Sequence, residues 1–256
     1  MLTERSARVV AAVKLHRHTA RKRERRFLAE GPNLIEAAIE SGLVTDVFAT
    51  EAAAQRHADL LATAPTAVQL ITERAAKSLS DTVTPAGLIA VCTLPEPDLA
   101  RVLADAPSLV AVAVGVGEPG NAGTLIRLGH AMGADAVVLA GHSVDPYNGK
   151  CLRASTGSIC AVPVVVEAAV TAVVGALQRA GLQVLATTLD GEVELAEANL
   201  SQPTAWLFGP EAHGLPPEIT AAADHRVRIE MPGDAESLNV AAAAAICLYQ
   251  SVRART

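Results

Sequence analysis

Residues 109–127 read LVAVAVGVGEPGNAGTLIR. The run 109–116 is apolar, rich in Val, and too short for a buried helix. It suits a strand covered on both faces. Gly115, Gly117 and Gly120 break it, and Pro119 sits where a first helical turn tolerates a missing N–H. Strand, glycine turn and helix in this order make the repeating unit of a parallel α/β sheet.

The same texture continues toward the C-terminus. Short apolar runs at 136–140, 162–166, 183–188, 205–208 and 226–229 are expected strands, with helices between most of them. The last stretch, 238–252, is an Ala-rich helix whose small side chains allow close packing. Toward the N-terminus, residues 6–26 read as helical and basic. Strands at 27–30, 44–49, 68–71 and 88–93 alternate with helices at 32–39, 51–63 and 73–79. The expected fold class is therefore α/β, in two domains: a smaller N-terminal one over 1–94 and a larger one over 108–256. A Pro-punctuated linker over 95–107 joins them.

The chain has 256 residues, half of them hydrophobic, with only 2% aromatic. So few rings exclude a nucleic-acid binder that works mainly by stacking bases. The formal net charge is −6. Residues 1–30 carry nine Lys/Arg against three acids, so the rest of the chain must sum to −12. Such asymmetry reads as a basic arm on an acidic body, or as a solvated helix face. The four cysteines (Cys92, Cys151, Cys160, Cys247) form no CxxC and no zinc-ligand spacing with His, so buried free thiols and no metal are expected. The N-terminus lacks the apolar core of a signal peptide, and no apolar run could span a bilayer. A cytoplasmic protein without a membrane partner is expected.

Gly115, Gly117 and Gly120 fit GxGxxG, the turn that cradles a dinucleotide pyrophosphate, and Asp135 follows at about the spacing of a ribose-binding acid. Such an acid belongs at the C-terminal end of the second strand, however. Asp135 stands before the start of 136–140, and the far end of that strand, Gly141-His142-Ser143, has no carboxylate. The dinucleotide reading fails there. The window 118–127 instead offers Asn121 and Thr124 as helix caps. It also places Arg127 early in a helix, against the dipole.

Two later segments share this character. LFGPEAHGL (207–215) ends a buried strand in a Gly/Pro loop carrying Glu211. IEMPGDAESLNVAAAAAI (229–246) runs from strand to loop to helix, with Ser237 expected as the cap and Asn239 in the first turn. Each alone is a turn and a cap. Three such loops after three strands of one domain point to a ligand crevice at the carboxyl ends of a sheet.

In order and spacing, GEPGNAGTLIRLGHAMG (117–133), 207–215 and 229–246 resemble the three motifs of the SpoU/TrmH family of RNA ribose 2′-O-methyltransferases. The intermediate stretch KCLRASTGS (150–158) extends the match, and residues 14–40, including FLAEGPNLIEAA, resemble the N-terminal substrate-binding domain of rRNA-modifying members. Pro210 and Ala212 depart from the commoner Asn or Ser and Gly, and Glu230 from Pro. The resemblance implies a C-terminal trefoil-knotted α/β methyltransferase domain and a smaller N-terminal α/β RNA-binding domain, in a homodimer with sites near the subunit interface. It implies S-adenosyl-L-methionine as cofactor, held by Thr187, Gly209, Ile229 and Leu238. The catalytic set it implies is Arg127, Asn121, Glu211, Ser237 and Asn239. RNA contacts are expected from Arg17, Arg21, Lys22, Arg23, Arg25 and Arg26. The extra domain favours large-subunit rRNA; a tRNA substrate and a non-catalytic RNA-binding relative are the alternatives.

Overall fold

The computed structural model describes residues 1–255, which fall into two compact units. One comprises residues 1–95 with 147–161, the other residues 96–146 with 162 onward. The chain thus contributes to the first unit twice, which the linear domain division expected from the sequence does not anticipate.

In the first unit, helices α1 (Ala7–Val13) and α2 (His18–Glu24) precede β1 (Arg26–Glu30), and Arg25 turns the chain between them in the left-handed conformation. Then follow α3 (Pro32–Glu40), β2 (Val44–Ala49), α4 (Glu51–Arg56), α5 (Ala58–Ala62), β3 (Val68–Leu70), α6 (Glu73–Leu79) and β4 (Leu88–Thr93). The strands form one sheet in the order β1-β4-β2-β3, antiparallel except for β2 and β3. The single helix expected over 51–63 is two, broken at His57. Val9, Leu15, Phe48, Ile71, Leu79 and Ile89 build the core beneath α1 and α6.

In the second unit, α7 (Leu99–Ala104) is capped by Asp98, whose carboxylate accepts from the Ala100 N–H at 3.1 Å. Leu99 is buried in the core of this unit. Most of the expected linker is therefore structure, because a capped helix with an apolar face has something to bury. After it come β5 (Leu109–Val114), α8 (Pro119–Ala131) and β6 (Ala136–Ala140). Helix α9 (Gly149–Ser155) belongs to the first unit. The chain continues through β7 (Val164–Glu167), α10 (Val170–Arg179), β8 (Gln183–Thr187), β9 (Val193–Glu194), β10 (Thr204–Phe208), α11 (Pro217–Ala222), β11 (His225–Arg228) and α12 (Val240–Arg253). The two-residue β9 escapes the sequence pattern, being too short to show a period.

The seven strands are all parallel, in the order β7-β6-β5-β10-β8-β11-β9. Burial on both faces explains why β5, β6 and, after Thr204, β10 read as unbroken apolar runs: every residue in them is buried. One face packs on α7 and α10 through Val110, Val112, Val138, Val173 and Leu177. On α12, Ser251 accepts a 2.8 Å hydrogen bond from Trp206 Nε1 in β10, with both residues fully buried. Because all strands run the same way, the loops after β5, β8, β10 and β11 open at one edge of the sheet.

Candidate active site

Three of those loops meet through side chains. Asn239 is the N-cap of α12: its Oδ1 accepts from Ala241 N at 2.9 Å and Ala242 N at 3.3 Å. The cap is thus Asn239 and not Ser237, which corrects the sequence expectation. Either residue type caps well, and only the point where the backbone turns helical separates them. With its oxygen committed, Asn239 directs Nδ2 outward. It donates to Glu211 Oε1 at 2.6 Å and to Asn121 Oδ1 at 3.1 Å. Asn121 Nδ2 completes the triangle by donating to Glu211 Oε1 at 2.9 Å, and Val240 N adds a longer contact at 3.3 Å. A single carboxylate oxygen therefore gathers donors from α8 and α12 onto the loop after β10.

Asn121 is oriented from below. Glu118 caps α8 and accepts from Asn121 N at 2.7 Å. Thr124, expected as a cap, lies inside the helix and donates back to Gly120 O at 2.8 Å. Arg127 lies outside the triangle. It is exposed, six residues along α8 from Asn121, or roughly 9 Å of helix axis. Its side chain makes no hydrogen bond or ion pair with any described residue.

A cavity of about 600 Å³ opens beside the triangle, within the range of small-molecule sites. Glu211 and Ser237 line it, as do Thr187, Gly209, Ile229 and Leu238; Asn121, Arg127 and Asn239 do not. Thr187 Oγ1 is engaged with Leu207 O at 2.9 Å. The Thr188 hydroxyl, also in the lining, is buried without a hydrogen-bond partner among the described residues. Such a group needs one from a ligand or water.

Two glycines shape the cavity by steric need. A Cβ on Gly209 would stand 2.6 Å from both Gly214 C and Leu215 N, backbone that cannot swing away. A Cβ on Gly191 would meet Arg228 N at 2.6 Å and Val227 C at 2.7 Å. The loop 188–192 is thereby laid directly on β11. Arg226 holds it there: Nη1 reaches Asp190 at 3.2 Å, Nε reaches Glu192 Oε2 at 2.8 Å, and the Arg226 N–H donates to Glu192 Oε1 at 2.9 Å. Those hydrogen bonds and the guanidinium charge hold the Glu192 carboxyl below its ordinary range. Arg228 donates to Gly191 O at 2.6 Å and pairs with Glu194. Sequence reasoning missed this clamp, whose only signal is two arginines alternating on a short strand.

Asp135 plays a different part. Its Oδ2 accepts from Ser108 N at 2.7 Å and Leu109 N at 3.0 Å, tying the start of β5 to the start of β6. It stands at the opposite edge of the sheet from the three loops.

In the first unit, Arg17, Lys22, Arg23, Arg25 and Arg26 are exposed. Arg21 is a correction: it is 6% exposed, and its Nη1 donates to the carbonyls of Leu15 and His16, both at 2.8 Å. It ties α2 to the preceding turn from within. Among the described residues no cluster of three or more His, Cys, Asp or Glu could hold a metal ion, and no helix is long and apolar enough to cross a membrane.

Residues 108–249 match the SpoU rRNA Methylase family, and residues 7–90 match the MRM3-like substrate binding domain. The chain is 35% identical over 239 residues to the 23S rRNA (guanosine(2553)-2'-O)-methyltransferase RlmP of Bacillus subtilis (strain 168), covering 92% of each chain. Its structure resembles the SpoU methyltransferase AviRb from Streptomyces viridochromogenes in complex with AdoMet, with a TM-score of 0.87, 31% identity and 98% of each chain covered. An AdoMet-bound rRNA methyltransferase from Sinorhizobium meliloti gives a TM-score of 0.85 at 27% identity, covering 97% of this chain and 95% of that one.

Proposed function

Because the chain belongs to the SpoU rRNA methylase family, we propose that it transfers a methyl group from S-adenosylmethionine to a ribose 2′-hydroxyl of large-subunit rRNA, in the cytoplasm. The observation that carries this reading is the Asn121–Glu211–Asn239 triangle at the rim of the 600 Å³ cavity. It joins the three motif loops of the family at one place.

The residues of the cavity fit this cofactor. The unpartnered Thr188 hydroxyl offers a polar contact, Ile229, Leu238 and Met231 offer apolar walls for an adenine, and Gly209 lets backbone line the floor. Thr187 shapes the same wall from the end of β8. When bound, the cofactor supplies a methyl group already activated by its sulfonium. What remains for the protein is to align the ribose oxygen and ease loss of its proton. Arg127 suits this as a fixed cation, since a guanidinium is almost never deprotonated. It stabilises the developing alkoxide and clamps an adjacent phosphate bidentately. Asn121 orients the ribose and phosphate, Glu211 locks the triangle, and Ser237 and Asn239 set the loop entering α12.

Two further features belong to this reading. β11 lies between β8 and β9, which the loop 188–192 already joins, and that loop crosses β11 at Gly191 without room for a Cβ. A strand lying between the two that this loop joins supports a trefoil knot. On α12, Ile246 and Tyr249 are 37% and 48% exposed and line a recess of about 310 Å³ with Leu195 and Ile229. That face supports a homodimer, to be checked by light scattering after size exclusion.

The test is transfer of labelled methyl groups from S-adenosylmethionine to purified 23S rRNA, with the product mapped as a 2′-O-methyl stop in primer extension. One modified ribose in rRNA is expected. Labelling of tRNA and not rRNA, or no labelling with cofactor bound, would overturn the assignment.

A further inference from the structure

The basic run of the first unit does not present its charges evenly. A recess of about 240 Å³ opens where α1, α2, β1 and β2 converge, and four cations surround it: Arg8, Lys14, Arg23 and Arg26. Two acids also line it, and both are engaged. Glu24 pairs with Arg23 at 2.8 Å, and Asp46 accepts from Thr45 Oγ1 at 3.2 Å and Gln69 Nε2 at 3.5 Å. Arg8, Lys14 and Arg26 have no partner among the described residues, and all three are exposed. They come from a helix, the turn that follows it and a strand, so the fold and not local sequence gathers them.

Phe48 and Val91 are among the residues lining the recess and are 1% and 4% exposed. Phe48 is thus closed over and cannot stack on a base. A concavity rimmed by unpaired cations, with no accessible ring, suits the charged backbone of a nucleic acid and not its bases. Arg8 and Arg26 supply planar forks that match a phosphate in two hydrogen bonds.

We propose that this recess is the seat of an RNA backbone phosphodiester, gripped by Arg8, Lys14 and Arg26, and that it anchors the substrate without reading its sequence. The inference rests on the RNA substrate of the preceding section. It also divides the basic run: Arg21 is an internal tie, whereas Arg8 and Lys14, lying outside the 17–26 cluster, join the RNA surface.

The test compares two triple variants that remove equal charge, R8Q/K14Q/R26Q at the recess and R5Q/R56Q/K77Q at exposed sites elsewhere on the same unit. Affinity for a 23S rRNA fragment is measured from low to moderate salt. Each phosphate neutralised contributes about 0.7 to 0.9 to the slope of log affinity against log salt, so the recess variant, which gives up the one phosphodiester seated there, should lose about 0.7 to 0.9 from that slope. Its affinity at low salt should fall about tenfold or more, while the control keeps nearly the wild-type slope. A charge-retaining variant, R8K/R26K, should keep the slope and lose part of the affinity, because only the bidentate geometry is gone. The circular dichroism spectrum and melting temperature should be unchanged throughout, showing that each variant is folded, and so should calorimetric binding of S-adenosylmethionine by the second unit. Equal slopes in the two triple variants overturn the recess and leave the methyltransferase reading standing. Failure of the wild type to bind or methylate RNA overturns both.

Discussion

Replacing Glu211 by Gln isolates what the carboxylate does in the triangle. In the wild type, Oε1 accepts from Asn239 Nδ2 at 2.6 Å, Asn121 Nδ2 at 2.9 Å and Val240 N at 3.3 Å. A glutamine can turn its carbonyl to the same donors, so the geometry survives and only the charge is lost. Hydrogen bonds to a charged partner contribute about 1.5–3 kcal/mol, neutral ones about 0.5–1.5. Two short bonds are thereby each weakened by roughly 1 kcal/mol, and the long one by less. The site is open to solvent, which screens part of this. A net loss of about 1–2 kcal/mol remains. If that loss falls on the arrangement needed for transfer, kcat drops about 5- to 30-fold.

Glu211→Ala removes the acceptor altogether and should cost roughly tenfold more again. Asn239→Asp provides the complement: an aspartate still caps α12 but turns an acceptor toward Glu211 and Asn121 Oδ1, so it should be worse than Glu211→Gln. Single-turnover methylation of rRNA at saturating S-adenosylmethionine reads these differences, with the melting temperature as a control for folding. A Gln variant as slow as the Ala variant would refute the reasoning, because Glu211 would then act by taking a proton and not by gathering donors. A wild-type rate in Glu211→Ala would refute it from the other side.

Arg127→Ala should retain cofactor binding and lose on the order of 10²-fold or more in rate, as expected for a preorganised charge donor; near-normal turnover sinks the role given to Arg127. Gly209→Ala should abolish calorimetric binding of S-adenosylmethionine, since its Cβ would lie 2.6 Å from the backbone of Gly214 and Leu215; wild-type affinity would show that the loop gives way. The Arg226–Glu192 clamp predicts an acid limb in cofactor affinity. The native Glu192 carboxyl titrates below its ordinary value of 4.5, so the clamp is intact above that pH and is lost as pH falls through the lower native value. Binding measured in acid should therefore weaken only at a pH below the ordinary carboxylate range in the wild type, and Glu192→Gln should bind more weakly at neutral pH without that limb; superposable profiles count against the clamp.

The parts of the fold that could be read from sequence are those where one physical demand acts on consecutive residues. β5, β6 and β10 are buried on both faces, so all their residues but Thr204 at the start of β10 are apolar and the run announces itself. The loops carrying Asn121 and Glu211 were visible because glycine and proline punctuate them. β9 was not, because two residues at the sheet edge are specified by their neighbour β11 and not by their own composition. The segment 95–107 read as a linker because its prolines are local and obvious. The burial of Leu99, which makes it part of the second unit, depends on residues 70 and more positions away, such as Val173 and Leu177.

The same distinction explains the site. Asn121, Glu211 and Asn239 could be named from sequence, but their relation could not, since a cap is decided by the residue at which the backbone enters the helix. Once Asn239 and not Ser237 takes that position, its oxygen is committed to α12 and its nitrogen must face outward. That fixes Glu211 as the acceptor and leaves Asn121 to present its own oxygen to Asn239. Arg21 makes the converse case. In composition it is one of six cations between residues 17 and 26, yet two main-chain carbonyls draw it inward. Buried carbonyls need donors, and a guanidinium with five N–H groups serves two at once. A charge run therefore overstates an RNA surface wherever the fold has its own use for a cation.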